Sequence, residues 1–525
     1  MTAPDRSLGA GSNPEAAAMV WLIVLGAIVS ILLIIGIYDL VQRKHAILRN
    51  FPVVGHLRFL LEAVGPELRQ YIVTDNDEER PFSRDHRRWV YDTAKQETGY
   101  FGFGTDNDIE QTPNYVVFKQ SAFPLEPGPD DVGHPDPSRP LPCAKVLGES
   151  HGRALAFRPD SVVNVSAMSF GSLSGSAVEA LNRGCAMAGA LHTTGEGGIS
   201  RHHRHGGDLV WQIGTGYFGC RTPDGGFDLD RLVETVRTAP VRAIEIKLSQ
   251  GAKPGLGGLL PGAKVSKEIA EIRGVPVGIT CKSPAAHTAF RDVEGLVEFV
   301  ERVAEATGLP VGIKSAVGDE GFWDQLVDQM AATGAGPDFI TIDGGEGGTG
   351  AAPLSFSDHV SLPFRWGFSR VYGRFAAAGL ADDIVFVGSA KLGVPETALT
   401  AMAMGCDMVN VGRTAMFAIG CIQAQRCHTD RCPTGVATQN PRLERGLDAD
   451  LKSVRCANYL AALRFELERL SRACGVPHPA LVTTDEVELL ENRLRAETLR
   501  EIIGYEPGWG LPSPEQVSRL LEVHK

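Results

Sequence analysis

The sequence has no surplus of basic residues and no long block of like charge. Its formal net charge is −12, so it lacks the basic stripe with which nucleic-acid binders replace phosphate counterions, and no nucleic-acid partner is expected. Cysteine is sparse, at ten in 525 residues. Only Cys421, Cys427 and Cys432 stand close together, which excludes the dense disulfide framework of a small secreted domain and favours reduced thiols in a cytosolic compartment. No short internal repeat is evident.

Most of the chain is compositionally ordinary, with 43% hydrophobic and 22% charged residues, which describes a globular protein able to bury a full core. The amino terminus departs from this. From Ala16 to Tyr38 no residue is charged, and as a helix this run would span about 35 Å, enough for a bilayer core. A retained anchor is the preferred reading, because the residues after Tyr38 offer no small-residue cleavage site; a cleaved signal or a buried helix is the alternative. Arg43, Lys44 and Arg49 follow the run, whereas Arg6 before it is offset by Asp5 and Glu15. The chain is therefore expected to be a single-pass membrane protein with its bulk in the cytoplasm.

Residues 39–155, with the proline-rich stretch from Pro124 to Pro142, are expected to be an irregular region packed on the main domain. From about 160 onward short apolar runs alternate with segments of helical spacing. Eight runs are counted: Val162–Ser166, Ala190–Thr193, Ala243–Leu248, Pro276–Thr280, Leu309–Lys314, Asp338–Ile342, Ile384–Val387 and Met408–Val411. Continuous apolar runs suit strands buried on both faces, and the intervening helices imply parallel connections. The predicted fold is a (β/α)8 TIM barrel over residues 156–440. A doubly wound sheet is the alternative. The plan is completed by a tail 1–15, the transmembrane helix 16–38 and a C-terminal helical extension 441–525.

The chemistry-bearing residues cluster where these runs end, on the face where such barrels place their sites. They include Ala167-Met168-Ser169-Phe170-Gly171, Thr194-Gly195-Glu196-Gly197-Gly198, Ser249-Gln250-Gly251-Ala252-Lys253 and the glycine-rich turn Asp343–Gly350 with Gly344, Gly345 and Gly348. Gly388, Ser389, Gly412 and Arg413 end the last two runs, the usual phosphate position; tight turns are the plainer explanation for the glycines. Lys314 ends the fifth run, where a cation could balance charge on a reduced flavin or simply pair with a carboxylate. Cys421, Cys427 and Cys432, spaced C-x5-C-x4-C within residues 421–432, suit an iron–sulphur cluster, suit zinc with His428, or are three free thiols. Gly214–Gly219 matches G-x-G-x-x-G, but the residues after it, Cys220 to Gly226, contain Pro223 and two glycines instead of a helix start, so a dinucleotide site is not expected there. The basic run Arg201–His205 reads as a solvated loop, with anion attraction or metal binding as alternatives.

Together these segments resemble the FMN-binding synthase domain of glutamate synthase. The resemblance rests on Met168–Gly171, Thr194–Gly198, Gln250–Gly255, Leu260-Pro261-Gly262, Gly347–Ala351 and Cys427–Gly435, in family order over roughly residues 160–440. It implies a TIM barrel with FMN and a 3Fe-4S cluster held by Cys421, Cys427 and Cys432. It implies that electrons reach the flavin through the cluster, and that the flavin reduces an imine formed from 2-oxoglutarate and ammonia. By the matching motifs Lys253 and Arg273 would hold substrate carboxylates and Glu196 would orient or protonate the imine nitrogen. Met168 and Ser169 would line the isoalloxazine, Lys314 would stand at its pyrimidine edge, and Ala167 and Gln250 are counted with the cofactor site. Three departures stand out. No cysteine precedes Cys143, so glutamine hydrolysis in cis is not expected. Leu256 and Leu259 occupy positions where the family pattern has a Glu and a Gln, which puts another oxo acid, or an amine, in view beside 2-oxoglutarate. No pyridine-nucleotide domain is legible, so a separate electron donor such as a ferredoxin or reductase subunit is expected. The rival from another class is a membrane-tethered flavin module that transfers electrons or regulates without turnover.

Overall fold

The structure, a computed structural model, describes residues 14–97, 100, 102–126, 133–491 and 495–523. The expected tail 1–15 lies outside the described residues except for its last two positions, as do Pro127 and Pro129. The chain divides into two compact units, Met1–Arg84 and Asp85–Lys525.

In the first unit a helix runs from Pro14 to Val41. Its portion Ala17–Val41 contains an 18-residue window of mean hydropathy 3.0 with nothing buried, so it is long and apolar enough to cross a membrane by length and composition. Its last turn holds Asp39, whose carboxylate accepts the Val53 backbone N–H at 2.8 Å and meets His56 Nε2 at 3.0 Å. A short helix, Ala46–Asn50, and a longer one, Gly55–Leu68, follow within what was expected to be irregular chain.

The second unit is built on a closed barrel of eight parallel strands. These are β1 Val163–Val165, β2 His192–Thr193, β3 Leu209–Ile213, β4 Val241–Lys247, β5 Val311–Ser315, β6 Phe339–Asp343, β7 Val385–Ser389 and β8 Met408–Val411. Each pairs with its neighbour in sequence, and β8 closes on β1 through Val409–Val163, Asn410–Asn164 and Val411–Val165. Every residue of β3, β5, β6 and β7 is buried, which is why their runs are apolar on both faces.

One strand was misidentified from sequence. Pro276–Thr280 is not part of the barrel: Gly278 takes a φ of 73°, and Val277 and Ile279 are each 58% exposed. The strand in its stead is Leu209–Ile213. Gln212 interrupts that apolar run, yet it is buried because its Nε2 donates to Glu245 Oε1 at 2.5 Å while Thr341 Oγ1 donates to Glu245 Oε2 at 2.6 Å. A polar group inside a barrel is tolerated when its bonds are made there. The total of eight is unchanged and Lys314 stays on the fifth strand, but Ser249–Lys253 follows the fourth strand, not the third.

The amino-terminal end of the barrel is sealed by a segment ahead of the expected boundary at 156. Cys143 and Leu147 pack with Leu191, Val210, Ala243, Phe339, Val385 and Met408, residues at or near strand starts. Outside the barrel, helix Gly175–Ala188 packs on the long C-terminal helix Ala449–Ala473. The remaining C-terminal residues add further helices and two strands, Val487–Glu491 and Arg495–Thr498, which join Tyr115–Phe118 in an antiparallel sheet.

The outer face of β2 carries a pH liability. His192 is fully buried, with its ring 5.4 Å from that of His203, and Nε2 of neither ring has a partner among the described residues. Burial pulls the His192 imidazole down to about 4 from its ordinary 6.5. The unfolded chain takes up this proton as pH falls through 6.5, whereas the fold refuses it until about 4. Stability present above pH 6.5 is therefore lost across that window, by about 3 kcal/mol from this residue. Denaturation midpoints at pH 7 and pH 5 should show the fall, and His192→Gln should reduce it, leaving the part that the likewise buried His203 contributes.

Candidate functional site

Glu196 sits in the turn that follows β2, and the surrounding backbone is shaped to admit it. Gly195 and Gly198 adopt φ of 72° and 85°, and a Cβ on Gly195 would lie 2.5 Å from the Ser169 amide, so this turn packs directly on the loop after β1. Side chains at Gly214 or Gly258 would collide with the Glu196 carboxylate. Gly214 opens the G-x-G-x-x-G stretch and makes room for that carboxylate, whereas Gly216 and Gly219 pack against Phe218 and Trp211. No helix follows until Leu229.

Three cations surround that carboxylate. Lys247 Nζ, at the end of β4, lies 2.9 Å from Glu196 Oε1 and 3.0 Å from Gln250 Oε1. Lys253 is buried and makes no side-chain hydrogen bond among the described residues; burial, reinforced by the charge on Lys247, lowers its pKa against the pull of Glu196. Arg273 is buried too, donating from Nη2 to the Phe170 carbonyl at 3.0 Å, with its guanidinium 5.1 Å from the Phe218 ring centroid. Its Nε has no partner among the described residues, and burial lowers its pKa as well. Burial pushes the Glu196 carboxyl up, but Lys247, by charge and hydrogen bond, with Lys253 and Arg273 behind it, holds it below the usual value. One ionised carboxylate among three cations leaves a positive excess in a low-dielectric recess, an arrangement that draws an anion.

The expected cofactor residues lie at the same mouth. Ala167, Met168 and Ser169 follow β1 and are half-buried. Lys314, ending β5, has its nearest carboxylate, Asp343 Oδ2, at 3.6 Å, too far for a good hydrogen bond. That same oxygen accepts the Gly251 N–H at 3.0 Å, and Gln250 Nε2 donates to the Gly348 carbonyl at 3.3 Å, so the loops after β4 and β6 are joined. Asp343 stands in register with Ser389 at the end of β7. Arg413 donates to the Glu346 carbonyl at 2.5 Å, and burial lowers its guanidinium to about 10. Glycine is demanded for packing at Gly344, Gly345 and Gly348, where a Cβ would press on Phe364, Ser361 and Arg413 respectively. Gly388 is likewise a packing glycine, against Leu392, Cys406 and Phe364. Gly412 differs, since a Cβ there would meet only Ser166 and Met168 at ordinary contact distance, so its glycine is not forced by crowding.

The cysteine trio lies in the loop beyond helix Arg413–Ala418. Burial pushes the Cys421 thiol up to about 12, with Cys427 and Cys432 adding to the rise. The three thiols are thus near enough to feel one another. No three His, Cys, Asp or Glu side chains among the described residues converge as a ready metal site. Lys264, also buried, donates to the Cys427 carbonyl at 3.1 Å and to the Ser172 carbonyl at 2.8 Å, joining the cysteine loop to the loop after β1.

Two cations at this mouth, Lys247 and Lys264, were not singled out from sequence. For Lys247 a signal existed, since it closes an apolar run just as Lys314 does. The basic run Arg201–His205 does not join the site: Arg201 pairs with Glu268 at 3.1 Å, His205 with Glu179 at 3.6 Å, and His203 is buried against Ser200.

Comparison with known proteins identifies the family. The conserved region in glutamate synthase matches residues 149–477. The glutamate synthase large subunit-like protein YerD of Bacillus subtilis (strain 168) is 37% identical over 481 residues, covering 86% of this chain and 91% of that protein. The archaeal-type glutamate synthase [NADPH] of Thermotoga maritima is 34% identical over 317 residues, covering 60% of this chain and 59% of the relative. The archaeal glutamate synthase [NADPH] of Methanocaldococcus jannaschii is 34% identical over 320 residues, with 60% and 59% covered. The match thus spans less than two thirds of the two named synthases.

Proposed function

The chain belongs to the glutamate synthase family, and from that membership we propose that it is an FMN- and iron–sulphur-dependent oxidoreductase that reduces the imine formed by a 2-oxo acid with ammonia or an amine. The observation that carries this reading is the largely buried Glu196 carboxylate ringed by Lys247, Lys253 and Arg273. An oxo acid brings the negative charge that this recess lacks.

In this reading Lys253 and Arg273 hold the substrate carboxylate, since both are buried cations with donor capacity that the described protein groups leave unused. Lys247 fixes the Glu196 carboxylate and keeps it ionised. Glu196 then orients the imine nitrogen and, in its imine-bound state, can hold the proton that the product amine needs. Lys314, Arg413, Gln250 and the turns at Ala167–Ser169, Gly344–Gly348, Gly388-Ser389 and Gly412-Arg413 would hold FMN, and Cys421, Cys427 and Cys432 a 3Fe-4S cluster. Lys314, ion-paired with Asp343 at 3.6 Å but not hydrogen-bonded to it, and Gly412 without crowding fit the first group, and three soft thiols in one loop fit the second in donor type. When bound, FMN supplies hydride chemistry and the cluster one-electron transfer. Electrons come from a separate donor, such as a ferredoxin or a reductase subunit. The helix Ala17–Val41 anchors the chain, with the barrel on the cytoplasmic side.

The substrate is read as less polar than 2-oxoglutarate. Leu256 and Leu259 flank Gly258, which packs on Glu196, and they are 39% and 41% exposed. Neither can hydrogen-bond a distal carboxylate, which would be left unpaired. A kinetic panel of 2-oxo acids with ammonia should give an apolar oxo acid a kcat/KM about 10- to 100-fold above that of 2-oxoglutarate. Should no oxo acid accelerate reoxidation of the reduced protein, the imine-reductase reading is wrong and a tethered flavin module without turnover takes its place.

A further inference from the structure

Residues 55–73 are helical throughout, as the α-helix Gly55–Leu68 and a wider π turn, Arg69–Val73. Leu57, Leu60, Leu61, Val64, Leu68 and Ile72 recur at intervals of three and four, so they line one side of the helix. All six are exposed, from 39% at Val64 to 73% at Ile72. The opposite side carries Arg58, Glu62 and Arg69, with Arg58 bonded to Glu62 at 2.7 Å. A continuous stripe of six large aliphatic side chains is not left in water by a soluble surface.

The junction with the preceding helix says what covers the stripe. Asp39 lies on the last turn of the apolar helix and is buried. Its Oδ2 accepts the Val53 N–H at 2.8 Å, and both its oxygens lie 3.0 Å from His56 Nε2. Val53 and His56 share a small recess with Ile34, Ile35 and Tyr38. The second helix is therefore fastened at its first turn to the end of the apolar helix, the level at which a span leaves the hydrocarbon. From Asp39 to Val73 the basic residues Arg43, Lys44, Arg49, Arg58 and Arg69 outnumber the acidic Asp39, Glu62 and Glu67, and the acidic Asp75, Asp77, Glu78 and Glu79 come only after the helix has ended. Clustered basic residues beside a span are drawn to anionic headgroups.

We propose that residues 55–73 form an interfacial helix whose apolar stripe lies in the headgroup–acyl boundary of an anionic phospholipid bilayer, so that the anchor has two parts, a span and a surface helix. This inference rests on the membrane reading of Ala17–Val41 given above. Such helices combine a strong apolar face with a basic polar side and bind by burial plus charge.

The test uses the full chain reconstituted in bilayers containing phosphatidylglycerol, with a photo-crosslinking residue placed singly at Ile28 in the span, at Leu60 or Val64 in the stripe, and at Glu62 or Arg69 on the polar side. Lipid adducts at Ile28, Leu60 and Val64, several-fold above those at Glu62 and Arg69, are the expected result. Adducts at Ile28, with Leu60 and Val64 joined to protein or labelled no more than Glu62 and Arg69, would overturn the surface helix and leave the span standing. Absence of adducts at Ile28 would remove the span itself, and the surface helix with it.

Discussion

Replacing Lys247 by Met lowers kcat/KM for the oxo acid by about 10³, the scale on which loss of a single preorganised charge partner reduces enzymatic rates. Lys247 is the only cation in hydrogen-bond contact with Glu196 among the described residues, at 2.9 Å, with side chains only 11% and 14% exposed. Without it, only the charges of Lys253 and Arg273 oppose the effect of burial, so the Glu196 pKa rises and the carboxylate is no longer pinned in place for the imine. Breaking a largely buried pair on one side also costs about 3–5 kcal/mol of stability. The flavin should remain largely bound, because Lys247 bonds to Glu196 and, of the residues assigned to FMN, only to Gln250. Lys247→Arg should recover part of the rate by restoring the charge. Steady-state kinetics with flavin content measured on the same samples would decide the matter, and activity within tenfold of the parent would sink the role given to Lys247.

A second large effect is expected from adding a single carbon at Gly251. A Cβ there would fall within the Gly344 carbonyl, which is backbone and has no rotamer with which to yield. The Gly251 amide is meanwhile committed to Asp343 at 3.0 Å and its carbonyl accepts from Ser361 Oγ at 2.8 Å. Gly251→Ala must therefore push the loop after β4 away from the loop after β6, moving Lys253 on one side and Gly344–Gly348 on the other. Overpacking of this kind costs about 1–3 kcal/mol, and a displacement near 1 Å at a reacting centre costs about 10² in rate. The variant should lose FMN on dialysis and unfold at lower denaturant. If it keeps its flavin and its midpoint, the two loops do not pack as described.

The barrel was legible in sequence wherever strands are buried on both faces and carry β-branched residues, as in Val311–Ser315 and Phe339–Asp343. It was misread where burial depends on a distant partner. Gln212 breaks the run Leu209–Ile213, and only Glu245, thirty-three residues on, makes its burial intelligible. Pro276–Thr280 gave the opposite error, an apolar run that packs on nothing in the barrel. Helix Gly55–Leu68 was hidden by Gly55, Gly65 and Pro66, residues that ordinarily end helices, although its spacing of leucines is regular. At the site, Glu196, Lys253 and Arg273 were found from motifs and do surround one recess. The glycines were found too, but the sequence could not separate those required for packing, such as Gly388, from Gly412, which is not crowded. Lys247 carried one signal, its place at the end of an apolar run, but its partner Glu196 lies in the loop after β2, fifty-one residues away, which its own strand does not announce.

Whether a flavin and a thiolate-bound cluster share one barrel mouth is decided by absorption and EPR spectra of the anaerobically purified full chain beside its Cys427→Ser variant. The expected parent spectrum shows flavin bands and the signal of an oxidised three-iron centre, and the variant keeps the flavin while losing that signal and its iron. A parent with no flavin band, or a variant whose iron content equals the parent's, would contradict the account.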